Sequence, residues 1–135
     1  MKKLLIVTIL LGFNNIIKAQ ENSIKPIECP HPIFKIGNGM SRMPAIALRN
    51  ITGAKVEMND FSKSDYKIQE FTIRLLSAES QTFKTAVNNG NSFSEETRTL
   101  LSSIKPNDLI MVVGISAIDP KGNTIYVPDR NFAFY

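Results

Sequence analysis

"SFSEETRTLLSSIKPNDLIMVVGISAIDPKGNTIYV", residues 92–127, changes its apolar rhythm halfway along, and that change sets the fold class. In its first part Phe93, Thr97, Leu100, Leu101 and Ile104 recur at helical spacing and form one stripe. Ser92 stands in capping-box relation to Glu95, and Ser94 is a rival N-cap; either would satisfy amides that the first turn leaves without partners. Glu95 and Glu96 suit the positive end of the helix dipole, and Pro106 ends the run. The spacing predicts one short helix, about Ser94–Ile104. Leu109–Val113 is then a continuous, largely β-branched apolar run, which reads as a central strand buried on both faces. Gly114 marks a bend or bulge. Asp119-Pro120-Lys121-Gly122-Asn123 places proline and glycine where a type I turn followed by a left-handed residue needs them. Thr124–Val127 returns as the partner strand.

Upstream the pattern is also β. Ile33–Ile36 reads as a first strand, closed by Gly37-Asn38-Gly39. Residues 43–50, MPAIALRN, fit either a short helix with Pro44 in its first turn and Ile46 and Leu48 inward, or a strand. From Ala54 onward Val56, Met58 and Phe61 turn inward. In YKIQEFTIRLLSAE, residues 66–79, Tyr66 and Ile68 share one parity, and Phe71, Ile73 and Leu75 share the other. One extra residue near Gln69–Glu70, a β-bulge, brings all five to one side. Thr82–Val87 forms another strand, and NNGN at 88–91 reads as a turn. Beyond Pro128, Phe132 and Phe134 alternate in a closing strand. A lone amphipathic helix among strands must lie on a sheet. The expected architecture is mainly β: a β-sandwich-like antiparallel domain with that helix on one face.

The N-terminus has a different character. Lys2 and Lys3 precede ten apolar residues, Leu4–Phe13, which a polar segment around Asn14 and Asn15 interrupts before the small residue Ala19. This is the layout of a secretory signal peptide; a membrane anchor would need about 20 apolar residues. The expected organisation is a signal peptide at 1–20, an extended lead-in at 21–31 punctuated by Pro26 and Pro30, and one domain over 32–135. The chain carries 16 basic and 12 acidic residues, and the leader holds Lys2, Lys3 and Lys18 with no acidic residue. The mature part is therefore nearly neutral, which argues against nucleic acid as a partner. A single cysteine excludes an intramolecular disulfide, so stability must come from packing, with Cys29 either pairing between molecules or standing as a tolerated thiol.

Cys29 and His31, the only residues of their kinds, sit two apart across Pro30. A catalytic pair needs a base within reach of the thiol and a third group to orient it, and a zinc site needs three or four ligands. Neither set is complete here. Glu95/Glu96, Asp60/Asp65 and Asp119/Asp129 are the carboxylate pairs open to acid–base work, but capping explains the first and turn formation explains Asp119. GNG at 37–39 and NNGN lack the lysine and following helix of a phosphate loop. The reading expects no catalytic, cofactor or metal residues, and leaves the binding residues unassigned. Exposed strand edges remain, together with the projecting Asp119–Asn123 tip, which has Lys121 and Arg130 near it.

The order of motifs resembles the C-terminal domain of the gliding-motility and type IX secretion protein GldM (PorM in its relatives). The resemblance rests on Gly90, Phe93, Ser94 and Glu95, then Leu100 and Leu101. It continues through Lys105, Pro106 and Asp108 to Ile115, Ala117, Pro120 and Gly122. Pro32, Ile36, Gly37 and Gly39 resemble the family's opening pattern, and Leu48, Gly53, Val56, Phe61, Tyr66 and Phe71 its middle. It covers residues 30–135. Asn107 stands where that family leads one to expect glycine. Full-length members carry a membrane-spanning helix and several periplasmic domains ahead of this one, whereas this chain shows a cleavable leader and one domain. The resemblance implies a stand-alone, non-enzymatic binding domain in the periplasm, secreted or at the cell surface. Its partner would be an envelope secretion or motility protein, with no cofactor and no transmembrane span after leader cleavage. A small secreted hydrolase or inhibitor, working through Cys29/His31 or surface carboxylates, is the alternative, and a self-assembling surface protein is a third.

Overall fold

The computed structural model describes residues 29–60 and 65–135. The expected signal peptide, most of the lead-in and Phe61 lie outside the described residues. The strands are β1 (Pro32–Ile36), β2 (Arg42–Met43), β3 (Ala54–Met58), β4 (Lys67–Leu76), β5 (Phe83–Asn89), β6 (Leu109–Ile118), β7 (Thr124–Val127) and β8 (Arg130–Phe134). Among the described residues one α-helix, α1, spans Glu95–Ser102, and a 3-10 turn occupies Ala45–Leu48. β1 and β3 pair as a small antiparallel sheet. The main sheet runs β2-β8-β6-β4-β5, with β7 also on β6, and only the two-residue β2–β8 contact is parallel. The small sheet, α1 and the 3-10 turn contribute Phe34, Val56, Leu48, Leu100 and Leu101 to one continuous core with the inward side chains of the main sheet. The domain is mainly β and sandwich-like, as the change of rhythm predicts.

Two bulges make the long central ladder possible. On β4 the buried positions run Ile68, then Phe71, Ile73 and Leu75; on β6 they run Ile110 and Val112, then Ile115 and Ala117. Each strand therefore switches parity once. Gln69 is the extra residue on β4, and Gly114, at φ +62°, lies at the compensating irregularity on β6. Inward residues face inward residues on both sides of the irregularity because the two insertions offset each other. Gly114 also marks the point where β6 exchanges β8 for β7 as its second neighbour.

The stretch between β5 and α1 departs most from expectation. β5 runs on through Asn89, so Asn88 is a strand residue whose side chain is fully buried. Its Nδ2 donates to the carbonyls of Gly90 (2.9 Å) and Ser92 (3.0 Å), and its Oδ1 accepts from Ser94 N–H (2.7 Å). That carboxamide shapes the crossing into the helix. Ser94 is the N-cap, with its Oγ accepting from Thr97 N–H at 3.1 Å; Ser92 instead bridges to Gly53. A Cβ on Gly53 would come within 2.5 Å of the Asn91 carbonyl oxygen, so only glycine permits this approach. Asn91 reaches further, its Oδ1 accepting from Ile68 N–H and its backbone carbonyl accepting from Ala54 N–H. The helix ends at Ser102, short of Ile104, because Asp108 Oδ2 captures Lys105 N–H while Oδ1 takes Ala78 N–H. Asn107 adopts φ +71°, the left-handed conformation that glycine and asparagine tolerate best, which accounts for asparagine at that position.

Other expectations are corrected by placement. Ile46 is 64% exposed, because the tighter 3-10 turn directs Leu48, and in part Ala45, to the core instead. β6 is sealed on one face only: Ile110 and Val112 are fully buried, whereas Leu109, Met111 and Val113 are half-buried. At the centre of the core Phe71 packs edge-on against Phe34 (ring centroids 5.0 Å apart) and Phe93 (6.3 Å), joining the main sheet, the small sheet and the approach to the helix.

Two outcomes follow. Asn88→Ala strips three partly buried backbone groups of their partner and should lower unfolding free energy by about 2 kcal/mol in a denaturant titration, against little change for Asn89→Ala. On the small sheet, hydrogen bonds from Lys35 and then Lys55 hold the Glu57 carboxyl below its ordinary value of 4.5. A depressed folded pKa stabilises the fold above the ordinary value and is lost as pH falls through the folded one. Glu57→Gln should flatten the acid limb of the stability profile below about pH 4.5, measured by thermal melts across pH.

Candidate interaction surface

The chemistry-bearing residues do not converge. The Cys29 thiol is exposed. His31 Nδ1 lies 3.0 Å from the Cys29 carbonyl oxygen and 3.1 Å from Asn59 Nδ2, so the imidazole faces the peptide and amide groups of its neighbours. The backbones of His31 and Asn59 extend the end of the β1–β3 ladder: Asn59 N–H donates to His31 O, and His31 N–H donates to Asn59 Oδ1. The pair belongs to the anchoring of β1. Glu95 and Glu96 lie exposed on the first turn of α1, as capping predicts. Asp60, Asp65 and Asp129 are exposed. Asp119 accepts hydrogen bonds from the Asn123 backbone and side chain and from Lys121 N–H, and these hold its carboxyl below the usual range. Arg130 leaves the hairpin tip altogether, donating from Nη2 to the Gly39 carbonyl at 3.2 Å. Among the described residues no group of three His, Cys, Asp or Glu side chains is placed to hold a metal ion.

The surface that does converge is the outer face of the main sheet. Pairing sets its rows: Phe83, Leu76, Leu109 and Ala133; then Thr85, Arg74, Met111 and Asn131; then Val87, Thr72 and Val113. Directly paired residues share a face, so these side chains all stand opposite the core. Phe83 and Val87 are 57% and 47% exposed, and Tyr126 on β7, at 81%, borders the same face. This face carries apolar Phe83, Leu76, Leu109, Met111, Val87 and Val113, interrupted along its middle by Thr85, Thr72, Asn131 and the exposed Arg74. A mixture of apolar side chains with an arginine and small polar residues is a composition compatible with protein–protein contact.

A family model of the GldM C-terminal domain matches residues 29–134. The chain belongs to the GldM C-terminal domain family. That family is part of the gliding-motility and type IX secretion machinery of the cell envelope. A search of curated proteins finds no match to this chain. In this GldM C-terminal domain the residues carrying the sequence resemblance hold structural posts: Phe93, Leu100 and Leu101 fill the core, Ser94 caps α1, and Gly122 at φ +88° completes the hairpin turn.

The outer face itself was missed in the sequence, where Leu109–Val113 reads as a doubly buried run. The exposed alternation on β4, with Thr72 and Arg74 between buried neighbours, is the signal that marks one open face. The two faces should respond oppositely to the same change. Val113→Lys should alter unfolding free energy by less than about 0.5 kcal/mol. Val112→Lys, one residue away in the sealed core, should leave no cooperative thermal transition.

Proposed function

We propose that this GldM C-terminal domain is exported and works without catalysis, binding a protein of the envelope secretion or motility machinery through the outer face of its main sheet. The observation that carries this reading is the family match together with a predominantly apolar sheet face that no described element covers. Monomeric proteins seldom leave large contiguous apolar patches in water, and a flat face of this kind gains stability when a partner removes it from solvent. The leader-like segment ahead of the domain supports export, with removal at about residue 20 and a mature chain in the periplasm or beyond. Among the described residues no helix is long and apolar enough to cross a membrane.

The test is co-purification of tagged chain from envelope fractions, with the mature N-terminus read by mass spectrometry. Recovery of a secretion or motility component, reduced by Val113→Lys in a variant that still melts like the parent, is the expected result. An intact leader, or no such component recovered in any of several detergents, would count against the reading.

A further inference from the structure

β5 is the terminal strand of the main sheet, and its outer edge has no strand beside it among the described residues. Two hydrogen bonds at the ends of the β4–β5 ladder set its phase: Ser77 N–H to Thr82 O (3.1 Å) and Gly90 N–H to Gln69 O (2.8 Å). Counting by twos from either end, Lys84, Ala86 and Asn88 exchange hydrogen bonds with β4. Phe83, Thr85 and Val87 therefore turn their N–H and C=O groups away from the sheet. Among the described residues no other element hydrogen-bonds to that edge.

Folded proteins blunt such edges with proline, bulges, very short strands or inward charges, because an open ladder recruits other chains. β5 has seven residues, no proline and a regular register, and it displays Phe83 and Val87 to solvent. Its one guard of that kind is Lys84, on the parity of buried Ala86 and Asn88, and this residue lines a groove of about 590 Å³ between β5 and α1. Thr99 and Leu100 line the same groove, and Glu95 and Glu96 add two carboxylates against the single ammonium of Lys84.

We infer that the β5 edge and the β5–α1 groove together bind an extended segment of another protein by strand addition. The segment would be apolar at alternate positions and carry a lysine or arginine between them. Side chains of an added strand alternate. One set would continue the apolar row beside Phe83 and Val87. The other would enter the groove over Leu100, where the excess of carboxylates favours a cation. The inference rests on the chain being an interaction domain, and it names the form and charge of what is bound.

Thr85→Pro is the discriminating variant. The Thr85 N–H points off the sheet, so proline there blocks the edge without removing a β4–β5 hydrogen bond. The probes are a fluorescent peptide of the length of β5, alternating valine and threonine with one central lysine in place of threonine, and its glutamate counterpart. The lysine peptide should bind saturably and more tightly than the glutamate peptide. It should slow amide exchange at Phe83, Thr85 and Val87, and lose at least about tenfold in affinity to Thr85→Pro. Unchanged melting of Thr85→Pro shows that the fold survives. If that variant unfolds, Thr85 N-methylation by chemical ligation makes the same block. Absent binding of both peptides, equal binding by the blocked protein, or no protection at the three amides overturns the inference. So does a dimer in solution that the block dissociates, since a second copy would then occupy the edge. Should the blocked protein still recover the same envelope component as the parent, the edge fails while the interaction reading stands. If the parent recovers none, the interaction reading itself fails.

Discussion

The carboxamide of Asn88 is the contact on which the rest of the arrangement depends. It sits at the end of an edge strand, fully buried, and satisfies three backbone groups of the chain that leaves that strand for the helix. A buried polar side chain without partners would be costly, so its geometry admits few paths for residues 90–94. That path places Asn91 against Gly53 and Ala54, which docks the small sheet, and places Ser94 where it caps the helix. Phe34, Phe71 and Phe93 then meet at the centre. Hydrophobic burial supplies most of the driving force, but it is not directional. The amide selects which of many compact arrangements is reached.

The same economy of elements explains where function resides. One short helix, one two-stranded sheet and a 3-10 turn cover the inner face of the main sheet, and no further described element lies on the outer face. The paired bulges at Gln69 and Gly114 keep the two faces distinct along strands long enough that a single parity slip would otherwise have put core residues into water. The outer face is therefore a product of the same register that protects the core. Its apolar rows and the open β5 edge adjoin at Phe83 and Val87, so a strand added at the edge would widen the face.

The residues that invite a chemical reading illustrate the opposite principle. Cys29 and His31 stand two apart in sequence, yet the imidazole is turned to a carbonyl and an amide. Asp119 is committed to its own turn. Asp108, which the sequence marks only as part of a polar turn, proves to be a buried clasp between Lys105 and Ala78. Proximity along the chain says little about such side chains, because their partners are backbone groups delivered by elements distant in sequence.

Periodicity alone determined the class of this protein. The helical stripe from Phe93 to Ile104, the bulge near Gln69 and the Asp119–Asn123 turn were all legible, since each depends on spacing between near neighbours or on the conformational limits of glycine and proline. The tertiary structure alone decided that Asn88 faces inward, that Ser94 rather than Ser92 caps the helix, that Ile46 is outward and that β6 is open on one side. Each of these depends on which distant element arrives to cover or hydrogen-bond a residue. A local pattern is the same whether or not that element comes.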